Sequence, residues 1–82
     1  MRMDFYSGQI EQSISGSKAE VVGDGSKFEA RVISDEFSGL PPIKRHKMVY
    51  AILDEHIKSG AIHALSIKAY TVDEWQFVQS ES

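Results

Sequence analysis

The chain of 82 residues has no cysteine, which removes disulfides, thiol nucleophiles and thiolate metal ligands together. Any soft-metal chemistry must therefore borrow its sulfur from a partner. No stretch approaches the roughly 18 consecutive apolar residues of a membrane span. The opening Met1-Arg2-Met3-Asp4-Phe5-Tyr6-Ser7-Gly8 lacks the apolar centre of a secretory signal. The chain is expected to stay in the cytoplasm, without a membrane partner. Positive charge is also scarce, since nine Lys and Arg against twelve Asp and Glu leave a net charge of -3. Affinity for DNA or RNA that ignores sequence comes from neutralising several phosphates at once, so a broad electrostatic grip is excluded and only a local basic patch could bind them.

What is present is a globular composition, 41% hydrophobic and 26% charged, which at this length implies one domain burying roughly 60% of its unfolded surface. We expect a single domain over residues 1–82 with its core in about 7–78. Tyr6, Ile10 and Ile14 recur every four residues, as one face of a short helix requires, with Asp4 or Ser7 to cap it and Gly16 to end it. Lys18 to Val22 reads as a strand. Gly23-Asp24-Gly25-Ser26 follows as turn chemistry, and Phe28, Ala30 and Val32 then alternate with Glu29, Arg31 and Ile33 as an antiparallel partner strand. The Gly-Asp-Gly run lacks the remaining glycine of a dinucleotide fingerprint and the Gly-Lys-Ser/Thr ending of a nucleotide-binding loop.

Residues 34–42 form a polar connection ending in Pro42, well suited to the first position of a helix. Val49, Ile52, Leu53, His56 and Ile57 follow as an i, i+3, i+4, i+7, i+8 stripe. Lys44-Arg45-His46-Lys47 precedes that stripe, either as a separate short helix or as the first turns of the longer one. The run reads as a solvated face or as a phosphate-binding corner. Gly60 ends the helical stretch. Leu65, Ile67 and Ala69 then alternate with Ser66, Lys68 and Tyr70 as a half-buried strand, with Leu65 and Ile67 expected beneath Val49, Ile52 and Leu53. Thr71 with Glu74 three residues later is a capping-box signature for a last helix carrying Trp75 and Val78. Parity groups His63 with Leu65 and Ile67, which allows a ring packed on the core or a ligand at the sheet's end. His56 reads as a core-boundary residue. Ser66 and His63 fall on opposite faces of the strand, and His46, His56 and His63 have no recognised ligand spacing, so no catalytic pair follows and an enzyme is not expected.

Arg45-His46-Lys47-Met48-Val49-Tyr50, Gly60 to Thr71 and Glu74-Trp75, together with Gly23 to Phe28 and Val32 to Gly39, strongly resemble the BolA-like proteins. The likeness runs in order from about Ser7 to Trp75. It implies an α/β (α+β) domain in the order αββααβα, similar to the type II KH arrangement, with a three-stranded sheet and helices on one face. No Gly-x-x-Gly clamp lies between the two middle helices, so KH-type grip on single strands is not expected. The resemblance further implies partnership with a monothiol glutaredoxin, a [2Fe-2S] cluster being held jointly by glutaredoxin cysteine, glutathione and the position matching His63. Many family members add a histidine or cysteine from the loop. Lys27 stands there in this chain and cannot ligate iron while protonated, leaving Asp24, Ser26 or an outside ligand. The alternative that the family implies is a DNA-binding regulator of stress and morphology, in which Lys44, Arg45, His46 and Lys47 form the nucleic-acid contact.

Overall fold

The structure is a computed structural model and describes residues 3–25 and 27–81. The chain forms α1 (Asp4–Ser13), β1 (Lys18–Gly23), β2 (Lys27–Ile33), a single 3-10 turn (Asp35–Phe37), α2 (Pro42–Ile52), α3 (Asp54–Lys58), β3 (Ala64–Tyr70) and α4 (Val72–Glu81). The sheet order is β1-β2-β3. β1 and β2 are an antiparallel hairpin, whereas β2 and β3 run parallel with Phe28 beside Leu65 and Ile33 beside Tyr70. Parallel neighbours cannot be joined by a tight turn, and the crossover from the 3-10 turn through α3 supplies the return.

Strand parity sorts the sheet. Phe28, Ala30 and Val32 of the central strand point to one face and are buried, joined there by Ile10 and Ile14 of α1, Val49 of α2 and Leu53. A side chain on Gly23 would meet the Phe28 ring at 2.8 Å, so the hairpin closes over that ring only with glycine in place. Phe37, in the stretch that reads as a polar connection, is also fully buried. The Ser34 hydroxyl holds that segment, accepting from the Glu36 N–H and donating to the Ser15 carbonyl, both at 3.1 Å. A polar sequence around one aromatic hides this anchor, because a lone Phe has no period to reveal it.

Four expectations are corrected by the fold. The helical stripe is not continuous: the chain turns at Leu53, φ -100 and ψ 9, so the two helices divide there and the basic run lies within α2. Beyond the turn, the His56 ring bonds the Gln9 side chain at 2.7 Å and packs edge-on against Tyr6, as a core-boundary residue. Helices α1 to α3 share one face, but α4 crosses to the other, where Trp75 lies 4.6 Å from the Arg31 guanidinium and 5.4 Å from the Tyr70 ring. Neither Asp4 nor Ser7 takes the N-cap position of α1, because the helix begins at Asp4 and that position falls on Met3. Leu65 and Ile67 are only half-buried, because β3 is an outer strand with no neighbour beyond it. No helix among the described residues is long and apolar enough to cross a membrane.

Candidate functional site

His63 stands on a bend immediately before β3. The bend follows from the residues before it: Gly60, with φ 86, takes a left-handed turn that residues with a Cβ rarely adopt, and the Ile62 N–H bonds back to the His56 carbonyl at 3.0 Å. Ile62, rather than His63, enters the core. The packed-ring reading of His63 is therefore corrected, since the bend breaks the parity that grouped it with Leu65 and Ile67. Its imidazole is exposed, and no hydrogen bond holds it among the described residues.

The parallel pairing of β2 and β3 decides what His63 faces. Lys27 is registered against Ala64, so the residue before Ala64 and the β1–β2 hairpin share one end of the sheet. In that hairpin Asp24 and Lys27 close the turn, the Lys27 N–H donating to Asp24 Oδ1 and the Asp24 N–H to the Lys27 carbonyl, both at 3.2 Å. The Lys27 side chain is exposed. A recess of about 390 Å³ lies against the hairpin, walled by Asp24, Lys27, Phe28, Glu29 and Ser66. Ser26 lies outside the described residues. Among the described residues no three His, Asp or Glu side chains gather closely enough to hold a metal ion, so His63 can contribute one donor to a centre completed from elsewhere.

The basic run does not act as a unit. Lys44, His46 and Lys47 are exposed on α2. Arg45 turns inward with its side chain 12% exposed. Its Nε donates to the Leu40 carbonyl at 2.8 Å and one terminal nitrogen to the Ala69 carbonyl at 3.2 Å, while both terminal nitrogens reach the Glu74 carboxylate. Arg45 is thereby removed from the nucleic-acid contact that the run suggested. Glu74 in turn accepts from the Thr71 N–H at 2.8 Å, and its own N–H donates to the Thr71 hydroxyl at 3.2 Å, which is the reciprocal capping box. The Arg45 hydrogen bonds, and next to them that backbone N–H, hold the Glu74 carboxyl down at about 2. Beside Lys47 the outer side of α2 carries a groove of about 410 Å³ lined by Ile43, His46, Lys47, Tyr50, Ala51 and Asp54. Ile43 and Tyr50 were missed by the sequence reading, although two apolar residues seven apart and off the buried stripe are a helical-period signal.

The family model described as BolA-like protein matches residues 9–74. The acid stress protein IbaG of Escherichia coli strain K12 is 41% identical over 66 residues, which cover 80% of this chain and 79% of that protein. The DNA-binding transcriptional regulator BolA of Vibrio cholerae is 42% identical over 60 residues, 73% of this chain and 56% of the relative. Among solved structures, a bolA protein homologue from Coxiella burnetii superposes with a TM-score of 0.79 at 39% identity, covering 93% of this chain and 97% of that one.

Proposed function

Since the chain belongs to the BolA-like protein family, we propose that it is a non-catalytic cytoplasmic adaptor that binds a monothiol glutaredoxin and takes part in [2Fe-2S] cluster trafficking or iron regulation. The observation that carries this reading is the exposed, unbonded imidazole of His63 at the same end of the sheet as the hairpin. An imidazole is a competent iron ligand, and replacing thiolate by imidazole raises a cluster's potential. The donor set of this chain fits one ligand position of such a cargo and no more. Sulfur has to come from the glutaredoxin cysteine and glutathione, because the chain has none. Lys27 offers only N–H donors while protonated, and Asp24 is engaged in closing the hairpin, so His63 is the ligand on which the proposal rests.

The test is to mix the protein with a cluster-loaded monothiol glutaredoxin and follow visible absorption and circular dichroism. The wild type is expected to change the spectrum and His63→Ala to leave it as that of the glutaredoxin alone. Equal changes in both would remove His63 from the cluster and leave a partner that docks without touching iron.

A second reading is favoured by one further observation. Lys44, His46 and Lys47 project from α2 with no ion-pair partner among the described residues, and a relative bears the name DNA-binding transcriptional regulator. Under this reading α2 contacts phosphates through those three side chains. The net charge of -3 keeps such binding weak at physiological salt.

A further inference from the structure

The two outer edges of the sheet are treated differently. On β1 one outward group of each of two residues is occupied by α1 and the residue before it: the Val21 carbonyl accepts from the Met3 N–H at 2.7 Å, and the Ala19 N–H donates to the Glu11 carboxylate at 3.0 Å. Covering an edge in this way prevents another strand from adding to it.

The β3 edge has no such cover over most of its length. The Tyr70 carbonyl accepts from the Ser34 N–H at 2.9 Å, so Tyr70 turns its backbone groups toward β2. Backbone direction alternates along a strand, and in a parallel pair one residue's N–H and C=O point the same way. Ser66 and Lys68 therefore also face β2, while Leu65, Ile67 and Ala69 face outward. Arg45 takes the Ala69 carbonyl. The outward groups of Leu65 and Ile67 have no partner among the described residues, and the side chains of both are left half-exposed at core-facing positions.

We infer that this edge pairs antiparallel with the same edge of a second copy of the chain, about a two-fold axis at Ser66. That register sets Leu65 of each copy against Ile67 of the other, so the two free donors and two free acceptors of one edge meet those of its twin in four hydrogen bonds. A register shifted toward the end of the strand would need the Ala69 carbonyl, which Arg45 holds. On the core-facing side the pairing shields Leu65 and Ile67 from water. On the open face Ser66 meets Ser66, and Lys68 meets Ala64, so no like charges stand opposite one another. The Glu29–Lys68 pair, 3.0 Å, remains within each copy. Such a seam is small beside the roughly 1,200 to 2,000 Å² of a lasting interface. The dimer accordingly forms and dissociates with concentration, at about 10 μM to 1 mM.

The absence of cysteine makes the test clean. Ser66 is exposed, and in this register the two Ser66 residues form a non-hydrogen-bonded pair with Cα atoms about 4.5 Å apart, within the roughly 4.4 to 6.8 Å that a disulfide spans. Ser66→Cys is expected to cross-link into a dimer under mild copper-phenanthroline oxidation. Lys68→Cys, whose two copies would stand about 13 Å apart along the strands, is expected to cross-link at least tenfold more slowly. Sedimentation equilibrium of the wild type should show a reversible dimer. Ser66→Glu, which places like charges directly opposite, should weaken it at least tenfold with an unchanged circular dichroism spectrum. A wild type that stays monomeric at about 1 mM, a dimer indifferent to Ser66→Glu, or equal cross-linking of the two cysteine variants would overturn the inference. In the first case the edge would be left to a strand of another protein.

Discussion

Arg45 and Glu74 are joined by a two-pronged ion pair, 2.5 and 3.1 Å, across 29 residues of chain. The pair ties the first turns of α2 to the cap of α4. Through the Ala69 carbonyl the same guanidinium reaches the end of β3, so three elements meet on one side chain. Arg45→Met keeps much of the length and removes the donors, leaving the Leu40 and Ala69 carbonyls unmatched. We expect a loss of about 1 to 3 kcal/mol, read as a lower denaturant midpoint at constant slope. No loss would show that the contact is solvated and weightless.

The same pair sets an acid sensitivity. Glu74 is held at about 2 in the fold, well under its ordinary value of 4.5. A depressed folded value means that the ionised form favours the native state. Its contribution is complete above about 4.5, shrinks as pH falls and is gone below about 2. The carboxylate is 46% exposed, so screening keeps the effect modest. Glu74→Gln should flatten that segment of the curve of stability against pH, and a parallel curve in the variant would assign the acid loss to other carboxylates.

Leu53 has no exposed surface, whereas Leu65 is half-buried at the sheet edge. Leu53→Ala is expected to cost roughly 2 to 5 kcal/mol. Leu65→Ala should cost markedly less in the isolated chain, because its side chain is already partly in water. Equal losses in urea titrations of the two variants would contradict the burial difference.

Lys27→His places an imidazole on the hairpin at the end of the sheet that carries His63. If the adaptor proposal holds, the shared cluster should resist a chelator longer in this variant, since a second protein ligand replaces a labile outside one. The visible absorbance decay after chelator addition measures it. An unchanged decay would place the hairpin away from the iron.

On the second reading, Lys44→Ala with Lys47→Ala should weaken DNA binding and reduce the dependence of log K on log salt by about two units. Fluorescence anisotropy with a duplex across a salt series gives the slope. The same slope in the double variant would move the phosphate contacts off α2.

The residues themselves determined the elements wherever a period ran long enough to read. The alternation of Phe28, Ala30 and Val32, the spacing of Ile10 and Ile14, and the reciprocal positions of Thr71 and Glu74 each encode local geometry in adjacent residues, and the fold realises all three. The family, and with it the division of the helical stripe into two helices, was legible only through the resemblance of whole motifs such as Arg45 to Tyr50 and Gly60 to Thr71. What only the tertiary structure decided concerns partners distant in sequence. Lys44, Arg45 and Lys47 are indistinguishable as a basic run, yet Arg45 is withdrawn by Glu74, Ala69 and Leu40, all supplied by other parts of the chain. His63 shares the parity of Leu65 and Ile67 but is released by the bend that puts Ile62 in the core. Which edge of the sheet is covered depends on where α1 and the residue before it come to lie. A linear pattern records the local period of a backbone, whereas the company each side chain keeps is set by long-range packing.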